Sequence, residues 1–476
     1  MRYQILSVFA ALTASAACGD LTSINDNPNG PTDVQPPSML SNAIQTVVDR
    51  VDGPNNNLDI RGGGLWVQYY AEIQYRDEDK YIVRPGVDGE WGMYSGPLED
   101  FQRMINKGVA AGVPNWEAVG RVMKSYAFSV MTDAMGDIPY SEAFQERALL
   151  TPKYDTQQAI YTALFADLAK ASQQIDPAGI GFSSGDIMYG GDMTTWQKFA
   201  NSLRLRLAMH LTNVAPATAQ SEALAAVTAG VFASNDESAQ LMYLASAPNQ
   251  NPIYTNVHVD KRDDYGMSKT LVDSMRSWND PRLPIYAQPN DTGAYEGLPN
   301  GLNDGAGPEL KYISRFGTFW RETPAAPLAL LTYSEVLFLE AEAAERGWIT
   351  GNAAQLYADA IRASMEQYGI ATTAIDAYLA QPRVVYAGGA AGLTQIAYQK
   401  WVSLFMQGME GWTEVRRTGV PALVPGPNAK LTKIPERLPY SDNEAVLNKA
   451  NLDAAVAAQH FSSSTDLTTP LWFTGR

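Results

Sequence analysis

Few residues in this chain could carry out chemistry, and most of them lack the neighbours that the chemistry needs. Gly181-Phe182-Ser183-Ser184-Gly185 has the spacing of a nucleophile elbow. That turn requires an apolar strand before the serine and a helix after it. Here Asp-Pro-Ala-Gly-Ile precedes and Asp-Ile-Met-Tyr-Gly-Gly-Asp follows, both of loop composition, so the segment reads as a Ser/Gly loop. The three histidines, His210, His258 and His460, are far apart, and none pairs at helical spacing to hold zinc. His210 closes an amphipathic helix and reads as structural. Gly62 to Gly64 lacks the strand and lysine of a phosphate loop. Asn300 to Asp304 offers oxygens to calcium without the alternating acidic ligands of a known loop, and reads as a turn. No catalytic residue, metal or cofactor site emerges.

Two other groups of residues point to function. The only cysteine, Cys18, follows Arg2, an apolar run from Ile5 to Leu12 and small residues from Thr13 to Ala17. That is the grammar of a secretory signal over residues 1–17. A lone exported cysteine makes no internal disulfide; at this position it reads as the acylated first residue of a lipoprotein. Ser15 departs from the Leu usual three residues before such a cysteine. Residues 18–37 are rich in Asn, Pro, Ser and Asp and read as a flexible leash. The second group is aromatic, from ten Trp and twenty-four Tyr. Several lie outside helical apolar stripes and beside charges, in QYRDEDKY (Gln74 to Tyr81), EWGMYSG (Glu90 to Gly96) and RFGTFWRE (Arg315 to Glu322). Flat rings with polar neighbours suit the C–H faces and hydroxyls of sugars, and they also suit peptides. Tyr75, Trp91 and Trp320, with Asp79 and Arg321 as polar partners, are therefore the expected ligand-binding residues.

The elements that must position these residues are mostly helical. Apolar spacing predicts helices over Met39–Val51, Leu65–Tyr75, Ser95–Lys107 and Trp116–Met131. Another starts from Asp155 as N-cap, and others cover Trp196–His210 and Gln220–Phe232. Residues 234–330 are crowded with Pro, Gly, Asn and Asp and predict one helix, Met267–Trp278; so long an irregular stretch marks functional surface. Helices return over Thr332–Arg346, Asn352–Tyr368, Thr373–Leu379 and Thr394–Met409, and from Gly419 the chain reads as coil. Ala341, Ala353, Tyr357 and Ala360 have the small, small, aromatic, small spacing of a tetratricopeptide helix pair. The net charge of -16 disfavours nucleic acid. No apolar run reaches the roughly 20 residues that span a bilayer.

Several segments, in order, resemble the SusD/RagB family of nutrient-binding outer-membrane lipoproteins, in its SusD-like branch. They are DNPNGPTDVQPPSMLSNAI after the cysteine, DAMGDIPYSEAF (Asp133 to Phe144) and WQKFANSLRLRLAMHL. RFGTFWRETPAAPLALLTYSEVLFLEAEAAERGW, YQKWVSLFMQGMEGWTEVRRTGVP and IPERLPYSDNEAVLNKAN complete the set. The resemblance covers nearly the whole chain beyond the signal. It implies a mainly α fold over one domain, residues 38–476, with degenerate tetratricopeptide-like helical pairs packed against a loop-rich half. It implies a palmitate-type lipid anchor at the outer-membrane surface and a TonB-dependent, SusC-like transporter as partner. The protein would hold a glycan or peptide as a lid, without catalysis. Gly136 and Gly411 are then expected at turns, and Arg416 and Arg417 in buried or interface ion pairs. An all-helical glycoside hydrolase with a carboxylate pair remains an alternative, because such pairs leave no motif.

Overall fold

The computed structural model describes residues 34–51, 58–84, 91–145 and 148–476, and within it Pro36–Arg476 forms one compact unit. Cys18, the signal and residues 19–33 of the leash lie outside the described residues. The fold is mainly α. Thirteen described helices of eight residues or more are labelled here in chain order: α1 (Pro36–Val51), α2 (Glu99–Ala111), α3 (Pro114–Met135), α4 (Gln157–Gln174), α5 (Met193–His210) and α6 (Pro216–Ala229). They continue with α7 (Lys269–Ser277), α8 (Tyr333–Glu345), α9 (Ala353–Glu366), α10 (Thr372–Leu379), α11 (Gly389–Ser403), α12 (Gly408–Thr418) and α13 (Lys449–Ala458).

Helix pairs form because each amphipathic face finds the next helix in the chain. Gly112, at φ +65°, ends α2, and Pro114 sits in the first turn of α3, so two residues reverse the chain. The crossing is close because Gly108 meets the α3 backbone, where a Cβ would lie 2.5 Å from the Glu117 nitrogen. Helices α3 to α6 then pack in consecutive pairs, and α8 packs on α9 and α11. The α8–α9 pair buries Ala341, Tyr357 and Ala360 in one apolar cluster, as the tetratricopeptide-like spacing predicts, with Ala353 half-buried at its edge. Thr332 and Asn352 cap these helices, accepting from Glu335 N and from Ala354 N and Gln355 N.

Strands are short. β1 (Tyr70–Glu72) pairs antiparallel with β3 (Tyr265–Met267), and β2 (Ala239–Leu241) with β4 (Leu328–Leu331). The expected helix over Leu65–Tyr75 is therefore only Gly64–Trp66. Gln68 turns out of it at φ +59°, and pairing with a strand nearly 200 residues later takes over. The expected helix Thr394–Met409 breaks at Leu404–Gln407, where Met406 has φ +71°, and α12 starts afresh at Gly408. Thr156, not Asp155, caps α4; Asp155 accepts instead from Tyr140 N and Ser141 N. The tail from Gly419 holds a helix, α13, that an alanine-rich run did not distinguish from coil. Gly136 ends α3 at φ +88° as expected. Gly411 is not in a turn: it lies inside α12, where a Cβ would stand 2.6 Å from the Tyr69 hydroxyl.

Buried ions join the helix pairs. Arg206 on α5 binds Glu335 on α8, with Nε–Oε1 2.6 Å and Nη2–Oε2 2.5 Å. Arg417 on α12 binds Glu342 on α8 and Glu414 at 2.7 Å each, whereas Arg416 donates to the carbonyls of Asp133 and Glu436. His210 lies between Asp133 on α3 (3.1 Å) and Glu410 on α12 (3.0 Å). Burial works against its charge, but the two carboxylates hold it above its ordinary value, at about 9.

Candidate functional site

β1 delivers the first site residue. Beyond Glu72 the chain turns outward, and Tyr75 sits at φ +57° with 61% of its surface exposed. A non-glycine residue stays in the left-handed region only when its surroundings hold it there. Here Asp77 N donates to the Tyr75 carbonyl (2.8 Å), and the buried Arg76 guanidinium donates to the carbonyls of Asn303 and Ala306 (2.8 Å each). Gln74 next door donates to Asp264. The Arg262 guanidinium lies 6.0 Å from the Tyr75 ring centroid and is itself held by Asp264 at 2.6 Å.

The same segment reaches the second site residue. Asp263 accepts from Arg321 Nη1 (2.6 Å) and Arg315 Nε (3.1 Å). His258 Nε2 lies 2.8 Å from Glu322, and Tyr254 stacks on His258 with centroids 4.7 Å apart. Residues 254–264 thus form a polar and aromatic rim that runs from Tyr75 to Arg321. Asp79 lies underneath it. Its carboxylate is 2% exposed and accepts from Glu72 N (3.1 Å) and Asn300 Nδ2 (2.7 Å), while Asp79 N donates to Glu72 Oε2 (3.2 Å). Burial raises Asp79 to about 7, and burial with the neighbouring Asp79 charge raises Glu72 to about 10. At neutral pH this pair holds a proton and ties β1 to the turn after it.

Trp320 faces the other way from Arg321. It is 3% exposed and lines a cleft of about 500 Å³ between β2, β4, the end of α9 and residues 403–407. Phe319, Tyr368 and Phe405 ring it at centroid distances of 4.8, 6.1 and 6.2 Å. Trp91 stands elsewhere. Its ring neighbours are Tyr94 (5.5 Å), Tyr440 (6.2 Å) and Tyr154 (6.4 Å), and it lines a broader hollow of about 740 Å³ with Phe144 and Glu444. So Tyr75 and Arg321 share one rim, Trp320 backs onto it, Asp79 supports it, and Trp91 belongs to another surface.

Several contributors were invisible in the sequence. Phe405 and Met406 sit in what reads as a continuous apolar helix, and no local signal marks the break. Arg262 and Asp263 lie in a charged run, Lys-Arg-Asp-Asp, inside the Pro- and Gly-rich segment; that run is the signal that could have found them. His210, Glu410 and Glu414 bring ligand atoms within 4.8 Å of one another. Each is already engaged, His210 by Asp133 and Glu410, and Glu414 by Arg417 and by Lys400 at 3.0 Å. The cluster reads as part of the ion network. The loop 181–185 has no strand before it and exposes both serines, which removes the nucleophile elbow.

Residues 28–441 match the SusD-like family, described as starch-binding and associating with the outer membrane. The chain belongs to the SusD-like family. Solved SusD-like relatives share the whole fold. A chitin-binding protein is 29% identical with a TM-score of 0.80, over 93% of this chain and 100% of that one. The chitin-binding SusD homologue of Flavobacterium johnsoniae is 26% identical with a TM-score of 0.80, over 91% and 98%. A SusD homologue from Bacteroides fragilis NCTC 9343 matches at 26% and 0.80, over 93% and 100%. No curated protein matches the chain. Among the described residues no helix is long and apolar enough to cross a membrane.

Proposed function

We propose that this SusD-like protein captures a nutrient glycan at the rim between Tyr75 and Arg321 and passes it, uncleaved, to a TonB-dependent outer-membrane transporter that it covers as a lid. The observation that carries the reading is Tyr75, an aromatic face held open to solvent by a constrained backbone, with Arg262 over it and fixed carboxylates beside it. A sugar ring stacks on such a face while its hydroxyls meet the charged partners. The chitin-binding relatives support a glycan over a peptide. Cys18 carries the acyl chain in this reading, and the leash keeps the lid near its barrel.

A hydrolase needs two carboxyl groups that face a sugar. The coupled pair at hand, Glu72 and Asp79, is 3% and 2% exposed and lies under the rim, which favours capture over cleavage. The test is isothermal titration with chitin and starch oligosaccharides against wild type and Tyr75→Ala. Wild type binds one series, and the variant loses about twofold to tenfold, since stacking on one ring is worth about 0.5–1.5 kcal/mol. Equal affinity of the two proteins would remove the rim from the site. Appearance of shortened products during incubation would replace capture with catalysis.

A further inference from the structure

The cleft beside Trp320 gathers negative charge that no ion pair neutralises. β2 buries Ala239 and Leu241 and turns Gln240, with Met242 just past the strand, toward the cleft; β4 does the same with Ala329 between the buried Leu328 and Leu330. Asp236 stands in the short turn Asn235–Glu237 that leads into β2. Its neighbours are committed elsewhere: Asn235 Nδ2 donates to the Ala363 carbonyl on α9 (3.1 Å), and Glu237 binds Lys198. The Asn235 bond fastens this turn to the last turn of α9, which ends at Glu366. Asp236 and Glu366 therefore line one cleft, and among the described residues neither makes an ion pair. Arg362, one turn earlier on α9, is held by Asp376 at 2.6 Å. No Lys, Arg or His lines the cleft among the described residues. α9 also brings the negative end of its dipole here, since Glu366, Gln367 and Tyr368 at its C-terminal end line the cleft.

The remaining floor is aromatic and soft. Trp320 and Phe405 are buried, Phe319 and Tyr368 are half-buried, and Met242 and Met406 complete the lining. The ring pairs Phe319–Trp320, Phe319–Tyr368, Trp320–Tyr368 and Trp320–Phe405 meet at 80, 84, 71 and 71°. The rings thus form a box and not a stack. Aromatic faces are negative and attract a cation at close range, and thioether sulfur is polarisable. Hydration decides which cation fits. A metal ion such as calcium needs roughly six or more oxygens, and the charged oxygens here come from two carboxylates only. A bare ammonium holds its water strongly. Alkyl groups on the nitrogen spread the charge, weaken that hydration and match apolar rings. An anion would meet two carboxylates and no cation.

We propose that the Trp320 cleft is a binding site for a small organic cation, an alkylated ammonium ion, whose charge is answered by Asp236 and Glu366 and whose alkyl groups pack on the aromatic box. The volume of about 500 Å³ takes such an ion with a short polar arm. The site shares no residue with the Tyr75 rim and does not depend on the glycan reading. Trp320 and Arg321, adjacent in sequence, then serve different ligands.

The probe is choline, compared with 3,3-dimethylbutan-1-ol, which keeps the shape and puts carbon in place of the charged nitrogen. Titration calorimetry of the purified protein at low salt is paired with the indole N–H resonance of Trp320 in 15N-tryptophan-labelled protein, assigned by its loss in Trp320→Phe. Choline is expected to move that resonance and to bind about tenfold tighter than the alcohol. Asp236→Asn and Glu366→Gln break no ion pair, so the variants should fold; combined, they should remove most of the difference and leave alcohol binding unchanged. Phe319→Leu keeps the charges, opens the box, and should weaken choline by about threefold. High salt should weaken choline and spare the alcohol. Equal affinity for the two compounds, or an unmoved Trp320 resonance at saturation, would overturn the proposal. Choline binding that survives the double substitution would place the cation elsewhere and overturn it too. Displacement of choline by an equal concentration of potassium would reduce the site to its carboxylates and remove the box. Oligosaccharide binding at the rim, titrated in parallel, decides the glycan reading by itself.

Discussion

Single residues here separate roles that composition alone confuses. Glu72 and Asp79 are both acidic residues under an exposed aromatic, yet neither reaches solvent. Glu72, raised to about 10, is protonated at neutral pH. Glu72→Gln should therefore keep stability within about 1 kcal/mol of wild type in urea unfolding, because the amide reproduces the neutral form. His210 provides the pH test. Its folded value, about 9, lies above the ordinary 6.5. The stability it contributes is complete below pH 6.5 and is lost as pH rises through 9. Thermal unfolding should show a decline over that window that His210→Gln flattens; an unchanged slope would place the proton elsewhere. Tyr75, Trp320 and Arg321 could be singled out as candidates from type and neighbourhood, because a ring beside a charge outside a helical stripe stands out. Where each one sits was not legible, since the adjacent Trp320 and Arg321 reach different surroundings, the buried cleft and Asp263.

At the level of elements, helices with clean apolar periodicity were legible, and those set by distant partners were not. α1 buries Leu40, Ala43, Ile44, Val47 and Val48 on one stripe, and its end at Val51 was read to the residue, though it starts at Pro36, before the expected Met39. β1 was misread as helix because its apolar residues are buried all round, and only β3, far along the chain, selects the extended form. The start of α12 illustrates a packing constraint that sequence shows only as a glycine. A Cβ on Gly408 would lie 1.7 Å from Asp59 Oδ1 and 2.3 Å from Gly64 N. Gly408→Ala should therefore destabilise by about 3 kcal/mol or more, measured by denaturant unfolding, as overpacked backbone contacts do. The α5–α8 link makes a sharper prediction. Arg206→Met leaves Glu335 buried without its partner and should cost about 3–5 kcal/mol. The double change Arg206→Met with Glu335→Leu should recover much of that loss, the signature of a pair whose removal is cheaper than its breakage.

Across the whole molecule, the helical pairs and the loop-rich rim are shared with the solved SusD homologues, and the net charge is -16. If the lid reading holds, affinity purification of the tagged chain from outer membranes should bring down a TonB-dependent transporter in comparable amount. Recovery of the chain alone under mild detergent would count against it. The last residues carry another consequence. Tyr440 Oη donates to the Asp137 carbonyl, Asp137 N donates to Gln459, and Phe473 N donates to Gln157, across sequence separations of 303, 322 and 316 residues. Helices α3 and α4 are thus finished by segments synthesised some 300 residues later. Loop closure over such spans is entropically slow, and native contacts of this reach delay folding to its end. A nascent chain released before about residue 440 would therefore stay loosely folded and sensitive to protease. Full protection should arrive abruptly as residues 440–473 join, so the fold postpones commitment to its native state until that segment is present.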